Sequence, residues 1–138
     1  MYDLHEFLEP INIAAFNNDQ GYNDGQLANF ISAYEDELPD LEETDIVLVG
    51  INADESINNN NAADAIRKQF YQLHYWLTDI QIADIGNIKT GASMNDSYAA
   101  VKTVLSELIK MKKTVVILGG SHDFTLAQYG AYKDLRAI

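Results

Sequence analysis

Apolar and polar positions change period several times along the 138 residues, and the changes divide the chain into elements. Asp45 to Asn52, DIVLVGIN, is continuously apolar, rich in β-branched residues and closed by a glycine, the pattern of a strand buried on both faces. Val115, Val116, Ile117 and Leu118 repeat that pattern and run into Gly119 and Gly120, where the backbone can turn sharply. Gln81 to Ile88, QIADIGNI, predicts a third, shorter strand. Between these runs the apolar period lengthens to three and four. Ala62, Ile66, Phe70, Leu73 and Leu77 predict a helix with Arg67 and Lys68 turned to water, and Tyr75 and Trp76 close one end of the core. Tyr98, Val101, Val104, Leu105, Leu108 and Ile109 form the stripe of a longer helix, capped by Ser93 or Asn95. Lys110, Lys112 and Lys113 suit its negative C-terminal end. A last helix carries Phe124, Leu126, Ala127 and Tyr129, with Ser121 or Asp123 as its cap.

Upstream of the first strand, Leu27, Phe30, Ile31 and Tyr34 predict an amphipathic helix over Gln26 to Glu37, stopped by Pro39. Residues 1–24 hold scattered apolar positions and a polar, turn-rich run, and read as a lead-in packed across the domain. Asp54 to Asn61 and Lys89 to Asn95 are polar loops. Strands alternating with helices predict a parallel sheet with right-handed crossovers, a three-layer α/β/α domain of Rossmann-like class. Residues 25–138 form its core, and no repeat or linker divides the chain.

Composition narrows the setting more than the chemistry. The length suits one domain of roughly 100–200 residues. Nine Lys and Arg against 21 Asp and Glu leave a formal charge of −12, which argues against nucleic acid or an anionic membrane as partner. There is no cysteine, so disulfides, thiolate metal sites and cysteine nucleophiles are excluded. No stretch approaches the roughly 20 apolar residues that span a bilayer, and the N-terminus has no basic flank or long apolar core; a soluble cytoplasmic protein is expected.

His122 is the sharpest candidate for chemistry. It follows two glycines at the carboxyl end of a strand, where open α/β sheets bind ligands, and an imidazole there can ligate a metal or relay a proton. The plainer alternative is a histidine that hydrogen-bonds backbone near a helix N-terminus. His5 and His74 read as structural. Asp54 and Asp84 lie near predicted strand ends and can face a cleft, or simply make turns and caps. Asn58, Asn59, Asn60 and Asn61 read as a flexible loop, with contact to a substrate as the second reading. No phosphate-binding glycine pattern and no G-x-S-x-G elbow is present.

The stretch GGSHDFTLAQYGAY resembles the Gly-Gly-x-His element of the ureohydrolase superfamily, the arginases, agmatinases and formimidoylglutamases. DIVLVGIN, AADAIRKQFYQL and IADIGNI are similar, in matching order, to its first core strand, following helix and second strand, so the resemblance covers most of residues 45–132. It implies the arginase-type fold and hydrolysis of a guanidino or formimino C–N bond by hydroxide held between two manganese ions. His122 corresponds to one metal ligand. Ser121 and Asp123 stand in the reverse of the usual Gly-Gly-Asp-His-Ser order and would support the imidazole from behind. The family's later Asp-x-His-x-Asp and Asp-x-Asp motifs do not occur. The resemblance therefore implies the N-terminal part of a larger enzyme with a small guanidino or formimino substrate, an incomplete sheet and no activity in the fragment alone. A noncatalytic α/β module is the alternative. It further implies the strand order second, first, third, which leaves residues 115–118 at an edge open to a homo-oligomer partner.

Overall fold

The computed structural model of the chain describes residues 4–16, 21–51, 62–76, 79–89, 93–119 and 124–135. Five strands are described: β1 (Leu8–Glu9), β2 (Ser32–Ala33), β3 (Ile46–Ile51), β4 (Ile82–Ile88) and β5 (Thr114–Gly119). The helices are α1 (Ala62–Phe70), α2 (Met94–Lys110) and α3 (Phe124–Leu135). The three long strands are parallel and lie in the order β4, β3, β5, as expected from the second-first-third order. The far side of β4 carries two short strands: β1 runs antiparallel against Asn87 and Ile88, and β2 parallel against Ala83 and Asp84. The sheet is thus mixed, with a parallel centre.

Strand alternation separates two buried faces. Val47, Val49 and Ile51 of β3 pack with Ala83, Ile85 and Ile88 of β4 against Val101, Val104, Leu105 and Leu108 of α2 and Phe124, Ala127 and Ala131 of α3. Leu48 points the other way, toward Ala63 of α1, Tyr71, Leu27 and Phe16. Helix α2 begins where Ser93 accepts a hydrogen bond from the Asp96 amide at 3.2 Å, one of the two caps its sequence offers. Helix α2 ends with Lys112 in the left-handed region at φ 62°. The Lys112 amide bonds to Ile109 O and the Lys113 amide to Leu108 O, the paired bonds of a Schellman ending.

Several expectations are corrected. Gln26 to Glu37 is not a helix but a 3-10 turn (Leu27–Asn29) followed by β2. Tertiary hydrogen bonds override the periodicity: the amides of Leu27 and Ala28 bond to Leu73 O and Tyr71 O, while Leu27, Ile31 and Tyr34 are still buried. Helix α1 stops at Phe70, and Trp76 is 73% exposed instead of closing the core. Tyr75 does turn inward, its hydroxyl donating to Ile80 O. His74 lies beyond the helix in a bridge with Gln26, its ring so close to Gly25 that any side chain there would collide with it. On α3, Phe124 and Ala127 are buried, but Leu126 and Tyr129 face outward. The β5 run, written for two covered faces, leaves Val116 at 41% exposure because the sheet stops there among the described residues.

Candidate active-site edge

The parallel strands finish level with one another. Ile51 of β3 pairs with Ile88 of β4 on one side and with Gly119 of β5 on the other, so three carboxyl ends line up at one edge of the sheet. Gly119 adopts φ +76°, and a Cβ built on it would come within 3.0 Å of Ala63 N and 3.5 Å of Ala62 Cβ. The first turn of α1 therefore sits directly against the end of β5. Helix α1 must approach this closely, and only glycine combines that approach with a positive φ.

A buried ion-paired cluster holds α1 in this place. The Arg67 guanidinium donates to Asp84 through Nε (2.8 Å to Oδ2) and Nη2 (2.9 Å to Oδ1). It also donates through Nη2 to Gly86 O at 2.9 Å, and through Nη1 to Asn87 Oδ1 at 2.6 Å and Asp64 Oδ1 at 3.2 Å. All five of its N–H donors are engaged. Asp84 further accepts from the Tyr71 hydroxyl and from the Gly86 amide. Arg67, Tyr71 and Asp84 are fully buried.

Strand irregularity makes the cluster possible. Leu48 pairs with Asp84 but Gly50 with Asn87, so β4 carries one extra residue between these pairs. Gly86, at φ +84°, takes up this bulge, and it lies against Glu9 O so closely that a Cβ could not fit. The extra residue brings Asn87 onto the same face as Asp84 and returns Ile88 to the apolar face with Ile85. Gly50 leaves the opening: a Cβ there would overlap Asn87 Oδ1 and stand 3.0 Å from Arg67 Nη1.

Electrostatics lock the protonation states. Burial disfavours the Arg67 charge, but hydrogen bonds and charge from Asp84, aided by Tyr71 and Asp64, outweigh it and raise its pKa further. Burial, then the Asp84 charge and hydrogen bond, push the Tyr71 phenol far above its usual range. Tyr71 is a permanent donor and Arg67 a permanent cation. With four donors on it, Asp84 is a structural anion inside β4 and not the cleft-facing carboxylate its position near a predicted strand end allowed.

Ser121, His122, Asp123, Asp54 and Asn58 to Asn61 lie outside the described residues. The described ends that flank them are brought together: Ala62 follows the asparagine run, Gly119 precedes the Gly-Ser-His-Asp run, and these two ends touch. Arg67, expected in water, is instead the centre of the cluster, and Tyr71, Asn87 and Gly50 were not marked by periodicity. A signal for them existed, since a Gly-Asn pair inside an apolar strand points to a bulge. Among the described residues no three His, Asp or Glu side chains gather as a metal cage, and none of the helices is long and apolar enough to cross a membrane.

Comparison with known proteins bears on the family and the fold. The sequence model described as the arginase family matches residues 44–136. No protein in the curated set matches the sequence. Formimidoylglutamase from Bacillus subtilis subsp. subtilis str. 168 is similar in structure at a TM-score of 0.65 and 15% identity, over 87% of this chain and 42% of that one. A hypothetical agmatinase from Burkholderia thailandensis is similar at a TM-score of 0.59 and 17% identity, over 86% of this chain and 40% of that one. The chain spans about two fifths of the length of these solved structures.

Proposed function

This chain belongs to the arginase family, and from that premise we propose that it is the N-terminal portion of a cytoplasmic, manganese-dependent hydrolase. The bond broken is a C–N bond of a guanidino or formimino substrate, in the manner of arginases and formimidoylglutamases. One observation carries the reading: Ile88, Ile51 and Gly119 end level at the edge from which the Gly-Gly-Ser-His-Asp run departs, within the segment that matches the family. By resemblance to the family, His122 is the position that corresponds to a metal ligand, with Ser121 and Asp123 as its supporting neighbours and Asn58 to Asn61 as candidates to meet substrate. When bound, a manganese pair supplies a hydroxide nucleophile at neutral pH.

The described residues do not complete a cage for two metal ions, since the buried carboxylate of β4 is already held by Arg67, Tyr71 and the Gly86 amide. No chemical step is assigned to them; their part is to hold the edge in shape. The 138 residues with added manganese are expected to release neither urea from arginine or agmatine nor formamide from formiminoglutamate. A longer polypeptide carrying this segment and a later Asp-x-His-x-Asp is expected to be active and to bind manganese more weakly after His122→Ala, read by calorimetric titration. Urea release by the 138 residues alone contradicts the proposed inactivity. A longer polypeptide without the later motif assigns the protein to the noncatalytic alternative.

A further inference from the structure

The segment upstream of β3 grips the ion-paired cluster from behind. Three residues of β4 receive the Arg67 side chain: Asp84, Gly86 and Asn87. The main chain of each is held by the upstream segment. Asp84 O accepts from the Tyr34 amide at 2.9 Å, beside the pairing of Ala33 with Asp84. Asn87 pairs with Glu9, and Gly86 lies against Glu9 O. Around these contacts the Lys89 amide donates to Phe7 O at 2.8 Å and the Ile11 amide to Tyr34 O at 2.9 Å. The same segment holds the far end of α1. The Ala28 amide donates to Tyr71 O at 3.2 Å and the Leu27 amide to Leu73 O at 2.8 Å, and the ring centroids of Phe16 and Tyr71 lie 5.7 Å apart.

We propose that this segment is a strap that seats α1 at the candidate edge, so that strap, Arg67 cluster and α1 open and close as one unit while β3, β5, α2 and α3 stay folded. Neither partner is built to stand alone. The strap consists of 3-10 turns and two strands of two residues each. Helix α1 has nine residues, fewer than the roughly 12–15 below which an isolated helix is marginal in water. Each depends on the shape of β4, and the bulge at Gly86 is the shape they share. When the strap leaves, Gly86 and Asn87 lose the contacts that fix the extra residue, and with it the two oxygens they offer Arg67. When α1 leaves, Asp84 keeps a charge without its cation. A buried charge in that condition is costly, so either departure brings on the other.

Helix α2 is supported differently. It has 17 residues and buries Val101, Val104, Leu105 and Leu108 in the apolar face with β3 and β4. The strap adds to that face chiefly through Leu4, Leu8 and Tyr34, so α2 keeps most of its cover when the strap opens. Opening withdraws the first turn of α1 from Gly119. The strap thus governs the candidate edge from the far side of the sheet, two strands away from β5. This coupling rests on contacts among the described residues and not on the proposed hydrolysis.

Native-state hydrogen exchange on the 138 residues reads such a unit amide by amide. Tyr71→Phe removes one hydroxyl donor from Asp84 and keeps the ring. It is expected to speed exchange at the position 71 amide, and equally at the Lys89 and Ile11 amides, whose bonds it does not touch, by about tenfold or more. Leu8→Ala is the reciprocal variant, since Leu8 lies in the apolar face on the other side of the sheet. It is expected to speed the Lys89 and Tyr71 amides together, by about 30-fold or more. Leu108→Ala, in the last turns of α2, is expected to speed exchange within α2 and leave these three amides unchanged. The proposal is overturned if Tyr71→Phe speeds position 71 without Lys89 and Ile11, or if Leu8→Ala speeds Lys89 without Tyr71. It is equally overturned if Leu108→Ala speeds the three amides as much as those of α2, because the domain then opens only as a whole.

Discussion

The two faces of the central sheet are buried by different chemistry. Toward α2 and α3 the strands present valine, isoleucine and alanine, and the helices answer with valine, leucine and phenylalanine. Toward α1 the middle of the sheet presents Asp84, Asn87 and a bare Gly50, and the helix answers with Arg67. The apolar face needs volume and tolerates exchange of similar side chains. The other needs every partner, because a buried charge without its counterpart is costly. Shape and charge on that second face also fix where α1 begins, and so how its first turn meets Gly119 at the candidate edge.

Removing Arg67 should break the comparison most severely. Arg67→Met leaves Asp84 buried without its cation and is expected to cost about 3–5 kcal/mol, read by urea unfolding. Leu105→Ala on the apolar face can cost as much, about 2–5 kcal/mol, through the cavity it leaves. What separates the faces is rescue. Adding Asp84→Leu to Arg67→Met removes the orphaned charge, and the double variant should be more stable than Arg67→Met alone. If it is not, the ion pair does not hold that face.

Tyr71→Phe is the next smaller test, because Asp84 keeps its other three donors. The lost hydrogen bond to a carboxylate is worth about 1.5–3 kcal/mol at pH 7. Its alkaline behaviour is more diagnostic. Burial and the Asp84 charge hold the folded-state pKa of Tyr71 above its ordinary value, which is about 10 in an unfolded chain. Below pH 10 the phenol is protonated in both states, and its contribution is fully present. As pH rises above 10, the unfolded chain loses this proton while the fold keeps it, so stability falls by up to about 1.4 kcal/mol per pH unit. Tyr71→Phe should lack that component, and the stability gap between the two proteins should narrow from pH 10 upward. A constant gap would show that Tyr71 is not held protonated by the fold.

The apolar face was legible in the sequence, and the ion-paired face was not. Val101, Val104, Leu105 and Leu108 recur at helical spacing and are all buried, so periodicity alone located α2. The same reasoning turned Arg67 to water, because a charged residue beside an apolar stripe is normally solvated. The face of α1 that is buried runs through Ala63, Arg67 and Tyr71, about one residue around from the stripe Ala62, Ile66 and Phe70. Nothing in periodicity reveals a partner on a strand seventeen residues away. β1 and β2 escaped for a related reason, since two-residue strands exist only through their pairing with β4. Of the candidate site, the strand ends that frame it were readable, and the residues that brace it were not.

The smallest expected effect lies at the end of α2, under the apolar face and away from the ion pair. Lys112 adopts φ 62° to complete the Schellman ending, and a residue with a Cβ pays about 1–2 kcal/mol there. Lys112→Gly relieves this strain but gives the unfolded chain more freedom, worth about 0.4–1 kcal/mol in the opposite direction. A net gain of about 0.5–1 kcal/mol is expected, visible as a rise of a few degrees in Tm. Lys112→Ala should gain nothing, since alanine keeps the Cβ. The two faces share no partner at this point, so Lys112→Gly should add to Tyr71→Phe within about 0.5 kcal/mol. Failure of that additivity would mean that the apolar and ion-paired faces are coupled through the sheet, and that the contrast between them is one of chemistry but not of energy.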